Sequence, residues 1–301
     1  MIVAITLLSL LATVAVPMLR LPMIAYIESS ARATVTAELD TARGKLNDDL
    51  ANALPNSIRV TQVGSRFMLE YLDVRAQGRF RSGASGAAQV CPTNCGGPLT
   101  RDALEFACSE RCFTSLGTLV GSSAPVVNSD WVVVNPLGPG VPQGDPYFGG
   151  AAQVANGIKA RLTGYSAIAN GQRLDITAQT FALAPTSKFL NALTSEIAPA
   201  SNRFYIVDTP VTYECNPATR QLLRHSNYAI AAAQPTAFGA AQTSPLASTV
   251  SACSFTYTRY GVTGAGGVVQ MWIRFDITPA GSNAPQAVEL TFTKAVSEGV
   301  L

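Results

Sequence analysis

Ile2 to Leu19 carries no charged side chain (IVAITLLSLLATVAVPML), and Arg20 ends the run. As an α-helix this stretch is roughly 27 Å long, close to the hydrocarbon thickness of a bilayer, so it predicts a membrane-spanning segment. The helical pattern continues past it. Ile27, Ala31, Val35, Leu39, Ala42, Leu46, Leu50 and Leu54 recur at helical spacing and line one face. Glu28, Arg32, Glu38, Asp40, Arg43, Lys45, Asp48 and Asp49 fill the rest as a solvated face. Pro55 and Asn56 stop the helix. The predicted element is roughly 80 Å long, apolar all round in its first half and one-faced in its second. Val35, Leu39, Leu46 and Leu50 are expected to pack on a globular domain. Pro17 removes a ladder hydrogen bond and is expected to kink the first half. Gly44 weakens the second half.

Beyond the helix the period becomes twofold. Ser57–Val63 and Phe67–Val74 flank Gly64-Ser65-Arg66 as a hairpin. Asp130–Asn135 holds a short buried strand, WVVV, and Arg173–Ala182 alternates apolar and polar positions. Arg203–Cys215 and Gln221–Ala231 are joined by a turn around Asn216-Pro217. Val250–Arg259 and Val268–Thr278 are joined by GVTGAGG, and Ala287–Val296 repeats the alternation. Sequential strands with short turns predict an antiparallel meander with the helix on one side. The stretches 77–89 and 135–153 are rich in Gly, Pro and Ser, and 160–201 is only weakly patterned. The region from about 75 to 200 therefore reads as a loop-rich insertion displayed on the sheet.

Composition narrows the class. Apolar types make up 48% and charged types 13% of the chain, against about a quarter charged in an ordinary soluble domain. That balance excludes a disordered polyelectrolyte. The net charge of +2, from 21 basic and 19 acidic side chains, leaves no footprint for nucleic acid. His225 is the single histidine, so a multi-histidine metal site is impossible and any histidine-based catalytic pair would have to use it. Lying among Leu222, Leu223, Arg224 and Tyr228 in a predicted strand, it reads as a structural residue. No nucleophile elbow, phosphate-binding loop or zinc-protease motif is present. No catalytic, cofactor-binding or metal residue is assigned. Arg75, Arg79 and Arg81, with Phe80 between, read as a solvated basic loop.

The six cysteines fall into two groups. Cys91, Cys95, Cys108 and Cys112 form C-x3-C-x12-C-x3-C. Disulfides fit an exported domain better than zinc does, and three connectivities are open. Cys215 and Cys253 each follow an apolar strand parity, so they can meet on one face of adjacent or near-adjacent strands as a disulfide.

Residues 2–19, with Pro17 in place, resemble the segment that follows the cleavage site in the type IV pilin superfamily. The leader and the Phe-Thr-Leu-Ile-Glu lead of that family are not in the sequence, and neither is its assembly glutamate. The resemblance thus implies a start a few residues upstream. ARGKLNDDLANALPNSIRV with FMLEYLDV, then RFYIVDTPVTYECNPATRQLLRHSNYAI and VSACSFTY, are similar to the minor pilins of MSHA biogenesis. This covers the N-terminal and C-terminal thirds.

The resemblance implies an α+β fold, with a long N-terminal helix, membrane-spanning in its first half, on an antiparallel sheet carrying the cysteine-containing insertion. Residues 1–24 would be the filament-core half-helix. Residues 25–301 would be an exported domain ending in a meander at 203–297. The implied function is that of a minor pilin that assembles into, primes or caps a type IV pilus. The alternatives are a minor pseudopilin of type II secretion and a membrane-anchored adhesin. The implied partners are other major and minor pilin subunits, the inner-membrane assembly machinery, and membrane lipid before assembly. The implied location is the bacterial inner membrane with the domain in the periplasm, then a surface pilus.

Overall fold

The computed structural model describes residues 2–81, 103, 104, 106, 109–141, 143–181, 202–260, 266–277 and 286–297, without the side chains at 5, 7–17, 19–21, 286 and 297. One helix, α1 (Ile2–Ala51), opens the chain and runs unbroken through Pro17. Thirteen strands follow among the described residues. The first seven are β1 (Arg59–Val63), β2 (Arg66–Arg79), β3 (Glu110–Thr114), β4 (Val120–Gly121), β5 (Trp131–Val134), β6 (Lys159–Ile168) and β7 (Gly171–Gln179). The rest are β8 (Arg203–Asn216), β9 (Gln221–Ser226), β10 (Gln242–Ser248), β11 (Val250–Arg259), β12 (Gly266–Ile277) and β13 (Gln286–Ser297).

All pairings are antiparallel. Ten strands form one sheet in the order β1-β2-β8-β5-β6-β7-β3, with β9 beside β8, β10 beside β9 and β4 beside β2. The other three form a small sheet, β11-β12-β13. The helix lies over both. Its apolar stripe shares one core with Leu69, Tyr71, Val211 and Tyr213 of the large sheet and with Phe255, Met271, Ile273 and Phe292 of the small one.

Two turns decide where the chain goes after the helix. The helix stops at Ala51, and the next residues bridge at once to β2: Ala53 pairs with Asp73, and Leu54 N donates to Leu72 O at 2.8 Å. Asn56 takes a left-handed backbone (φ 60°), which asparagine tolerates better than most residues. Its side chain donates to Pro136 O at 3.0 Å and accepts from Gly266 N at 2.8 Å, tying helix exit, Pro-rich loop and small sheet together.

The structure corrects the expected class. Among the described residues strands make up 51% and helix 16%, so the fold is mostly antiparallel β with one helix rather than α+β. Among the described residues no helix is long and apolar enough to cross a membrane, which overturns the membrane-spanning first half. From Glu28 onward charges recur and the apolar positions keep to one face.

The loop-rich insertion is also corrected. The middle of the chain supplies β3 to β7, which extend the large sheet. The strand β6 was illegible because it opens with a buried lysine, Lys159, and because a bulge between Leu162 and Gly164 breaks its alternation. Lys159 Nζ donates to Pro146 O at 3.3 Å and Gly150 O at 2.5 Å, and Arg161 stacks on the Trp131 ring at 4.0 Å. Both cations are thus accommodated beside a core strand. Burial pushes the Lys159 ammonium down to about 8.

Cys215 and Cys253 are bonded, with Cα atoms 6.5 Å apart. They lie on β8 and β11, so the bond joins the two sheets rather than neighbouring strands. It closes a separation of 38 residues, worth about 3–4 kcal/mol in the chain-entropy account. Cys215→Ser, or reduction of the wild type, should lower the unfolding free energy by about that amount in chemical denaturation. Alkylation of both thiols in native, unreduced protein would contradict the bond.

Candidate functional site

The helix seam is the first candidate. Val35, Leu39, Ala42, Leu46 and Leu50 are all buried, at 1–6% exposure, and face both sheets. Polar contacts flank the apolar stripe. Glu38 accepts from Ser248 N at 3.0 Å, which fastens the helix to β10, and Lys294 of β13 donates to Asn47 Oδ1 at 2.8 Å.

Asp49 is the strongest of these fastenings. Its Oδ2 accepts from Arg224 Nε at 2.6 Å and Tyr213 Oη at 2.7 Å, and its Oδ1 meets Lys45 Nζ at 2.8 Å. Burial pushes this carboxyl up, but the hydrogen bonds from Lys45, Arg224 and Tyr213 outweigh it and hold it below its ordinary value. Asp49 was expected on the solvated face; the structure buries it. Its spacing of three from Leu46 and seven from Ala42 is the signal that places it beside the stripe. Neighbouring Asp73 carries no such donor set, and burial with the Asp49 and Asp208 charges lifts its carboxyl to about 6.

N-terminal to the stripe the helix changes character. Ile2, Val3, Met18, Met23 and Tyr26 are 66–81% exposed, and among the described side chains Val35 is the first buried one. An apolar helix end left uncovered by its own domain is the usual mark of an interaction surface.

The second candidate lies on the opposite face of the large sheet. Odd-numbered Leu69, Tyr71, Val211, Tyr213 and Cys215 face the helix, so even-numbered Glu70, Thr212 and Glu214 face away. They are buried all the same, beneath the 227–241 segment. Arg59 pairs with Glu70 at 2.5 Å and donates to the carbonyls of Ala231 and Ala232. Tyr228 Oη donates to Glu70 at 3.0 Å. Arg66 bridges Glu214 at 3.1 Å and Thr236 O at 3.2 Å. Burial raises the Glu70 carboxyl against the pull of Arg59.

His225 sits within this layer, with Nε2 2.9 Å from Glu214 and Nδ1 2.8 Å from the Thr243 hydroxyl. The order hydroxyl, imidazole, carboxylate has the form of a hydrolytic triad. Its surroundings do not. The ring is 4% exposed, Phe238 stacks on it at 4.1 Å and 7°, and none of the described cavities borders it. With both nitrogens engaged and one ring face covered, the imidazole ties β8, β9 and β10 to the covering segment. The hydrogen bond from His225 is the main reason the Glu214 carboxyl lies below its ordinary value.

The remaining expected positions are dispersed. Cys112 is buried on β3 and disulfide-bonded, while Cys91, Cys95 and Cys108 lie outside the described residues. Arg75 and Arg79 are on β2 rather than in a loop, Phe80 is fully buried, and Arg75 is paired with Asp130 and Asp208. Among the described residues no group of three or more His, Cys, Asp or Glu side chains could hold a metal ion. Compared with known proteins, the chain matches no family model, no curated protein and no solved structure.

Two outcomes follow from the seam. Asp49→Asn leaves Arg224 partly buried without its anion and should cost about 2–4 kcal/mol in denaturant unfolding. Because the folded pKa of Asp49 is depressed, its contribution is complete above the ordinary carboxylate value of about 4 and is lost as pH falls through the lower folded value. The variant should therefore flatten the acid limb of the stability profile; an unchanged limb would contradict the assignment. Gly44 has open space where a Cβ would stand, so Gly44→Ala should raise stability by about 0.5–1 kcal/mol.

Proposed function

We propose that this chain is a structural subunit of a type IV pilin-like filament, a minor pilin that acts by assembly. One observation carries the reading. A single 50-residue helix is buried along its C-terminal half by its own domain and presents uncovered apolar side chains toward its N-terminal end. Such an end is stabilised by burying it against equivalent helices of other subunits. Each large apolar side chain so covered contributes about 1.5–3 kcal/mol. The sequence resemblance to pilins at residues 2–19 points to the same use.

In this reading the partners are other pilin subunits and an inner-membrane assembly machinery. The domain is exported to the periplasmic side of a bacterial envelope and ends in a surface fibre. Assembly of this kind needs apolar helix ends that find one another. It does not need this helix to cross a bilayer.

Photo-crosslinking residues at Met23 and Tyr26 test the reading in cells that make the fibre. Crosslinks to pilin subunits are expected from both positions and not from Asp40, on the charged face of the same helix. Val35→Asp with Leu39→Asp should detach the helix from the domain, because buried unpaired charges are costly, and should shorten or abolish the filament. His225→Gln should leave filament formation intact. The assembly reading fails if Met23 and Tyr26 give no crosslinks while the Val35/Leu39 variant behaves as wild type.

A further inference from the structure

A sheet edge with unpaired backbone groups is a template for another strand, and folded chains blunt such edges with short strands, bulges, prolines or inward-pointing charges. Most edges of this molecule are blunted. Strands β1 and β3 have five residues each and β4 has two. A bulge interrupts β3 between Glu110 and Cys112, β10 beside Pro245, and β11 between Val250 and Ala252. The exception is β13. It is 12 residues long, contains no proline, and pairs with β12 from Gln286 to Ser297 without a register shift. Among the described residues no strand pairs with its outer edge.

The faces of β13 add to this. Even-numbered Val288, Leu290, Phe292 and Val296 face the core shared with the helix. Val288 and Leu290 are only partly buried, whereas their partners on β12, Phe275 and Ile273, are buried. A small apolar cavity separates Leu290 and Phe292 from the helix residues Ala42, Arg43 and Leu46. The small sheet thus ends before its inner side is covered. Lys294, the inward-pointing charge of the strand, is drawn to Asn47 on the helix at 2.8 Å. Thr291 and Thr293 are exposed on the other face.

We propose that β13 is a pairing edge for a second copy of this chain, and that two copies join β13 to β13, antiparallel, into a six-stranded sheet. The strand is complementary to itself in a register centred on Thr291. On the inner side Leu290 of each copy opposes Phe292 of the other, and Val288 opposes the Lys294 stem. On the outer side Thr291 opposes Thr291, Ala287 opposes Ala295, and Glu289 opposes Thr293. Apolar meets apolar, a Thr–Thr pair sits on the axis, and no like charges stand opposite each other. The strand holds one Glu and one Lys, so two copies do not repel. A foreign strand would have to reproduce this alternation, whereas a second copy carries it already. The contact is one strand pair wide, so association is weak and concentration-dependent. It uses the domain and not the uncovered helix end, so it is independent of the assembly reading.

Sedimentation velocity of the full chain over a concentration series tests the pairing, beside a Met23→Asp/Tyr26→Asp variant that alters the helix end. Both are expected to show the same reversible monomer–dimer equilibrium. Loss of the dimer in the helix variant would overturn the β13 pairing and assign the association to the helix ends. Thr291→Lys and Thr291→Glu each set like charges face to face on the axis and should each weaken dimerisation several-fold. Mixed one to one they should restore it as a heterodimer, which a misfolded variant could not do. Directly opposed residues of an antiparallel pair have Cα atoms about 4.5–5.5 Å apart, within disulfide reach. Thr291→Cys should therefore crosslink to itself on mild oxidation, read by peptide mass mapping, and Thr293→Cys should not. Amide exchange of the dilute monomer should leave the outward amides of β13 unprotected; protection there would show that another part of the chain covers the edge and would overturn the pairing. So would a chain that stays monomeric at about 1 mM, a Lys and Glu mixture that fails to associate, or Thr293→Cys crosslinking as readily as Thr291→Cys.

Discussion

The C-terminal half of α1 has a single apolar face, and both sheets close upon it. Neither sheet could bury its inner face alone. The small sheet has only three strands, and its Met271, Ile273 and Phe292 need a partner layer. The helix stripe gives both sheets a shared surface, and the Cys215–Cys253 bond holds the two sheets together beside it. The polar fastenings then fix rotation and height. Asp49 reaches Arg224 and Tyr213 on the large sheet, Glu38 reaches Ser248, and Asn47 receives Lys294 from the small sheet. A helix held only by its stripe could slide by a turn. These contacts, on the two flanks of the stripe, remove that freedom.

The long strand β8 carries the same logic into the large sheet. Its odd-numbered residues serve the helix seam, and its even-numbered Thr212 and Glu214 serve a buried polar layer under the 227–241 segment. A one-residue slip would turn Glu214 into the apolar seam and Tyr213 away from Asp49. Both would then lose their partners, so the alternative register is heavily disfavoured. Buried ion pairs such as Arg59–Glu70 contribute little net stability against desolvation. Here they select one register and one seat for the covering segment, which makes His225 and its neighbours a positional device.

Much of this was legible in the sequence, for identifiable reasons. The stripe from Val35 to Leu50 stands at strict helical spacing, WVVV is a short continuous apolar run, and the strands β12 and β13 alternate cleanly. What was not legible depends on partners distant in sequence. Lys159 hides the start of β6 because its hydrogen-bond acceptors come from Pro146 and Gly150 in a loop. Strand β10 contains Pro245 at a bulge and gains its place by pairing with β9 and by contact with the helix. The pairing of Cys215 with Cys253 followed from side-chain parity, but parity carries no information on which sheet each strand joins.

The helix thus has two energetic roles that meet near Val35. From Val35 to Leu50 its apolar side chains are covered within the chain, and their burial belongs to the stability of the domain. Ahead of Val35 the described apolar side chains Met18, Met23 and Tyr26 are left to solvent, and their burial remains to be gained from another surface. Because the domain closes on the second part alone, its folding does not wait on the first. A chain built this way can be complete as a domain before any association of the kind proposed. Under the assembly proposed above, the free energy of association would come from the uncovered end, where a charge introduced on the helix would weaken assembly without unfolding the two sheets.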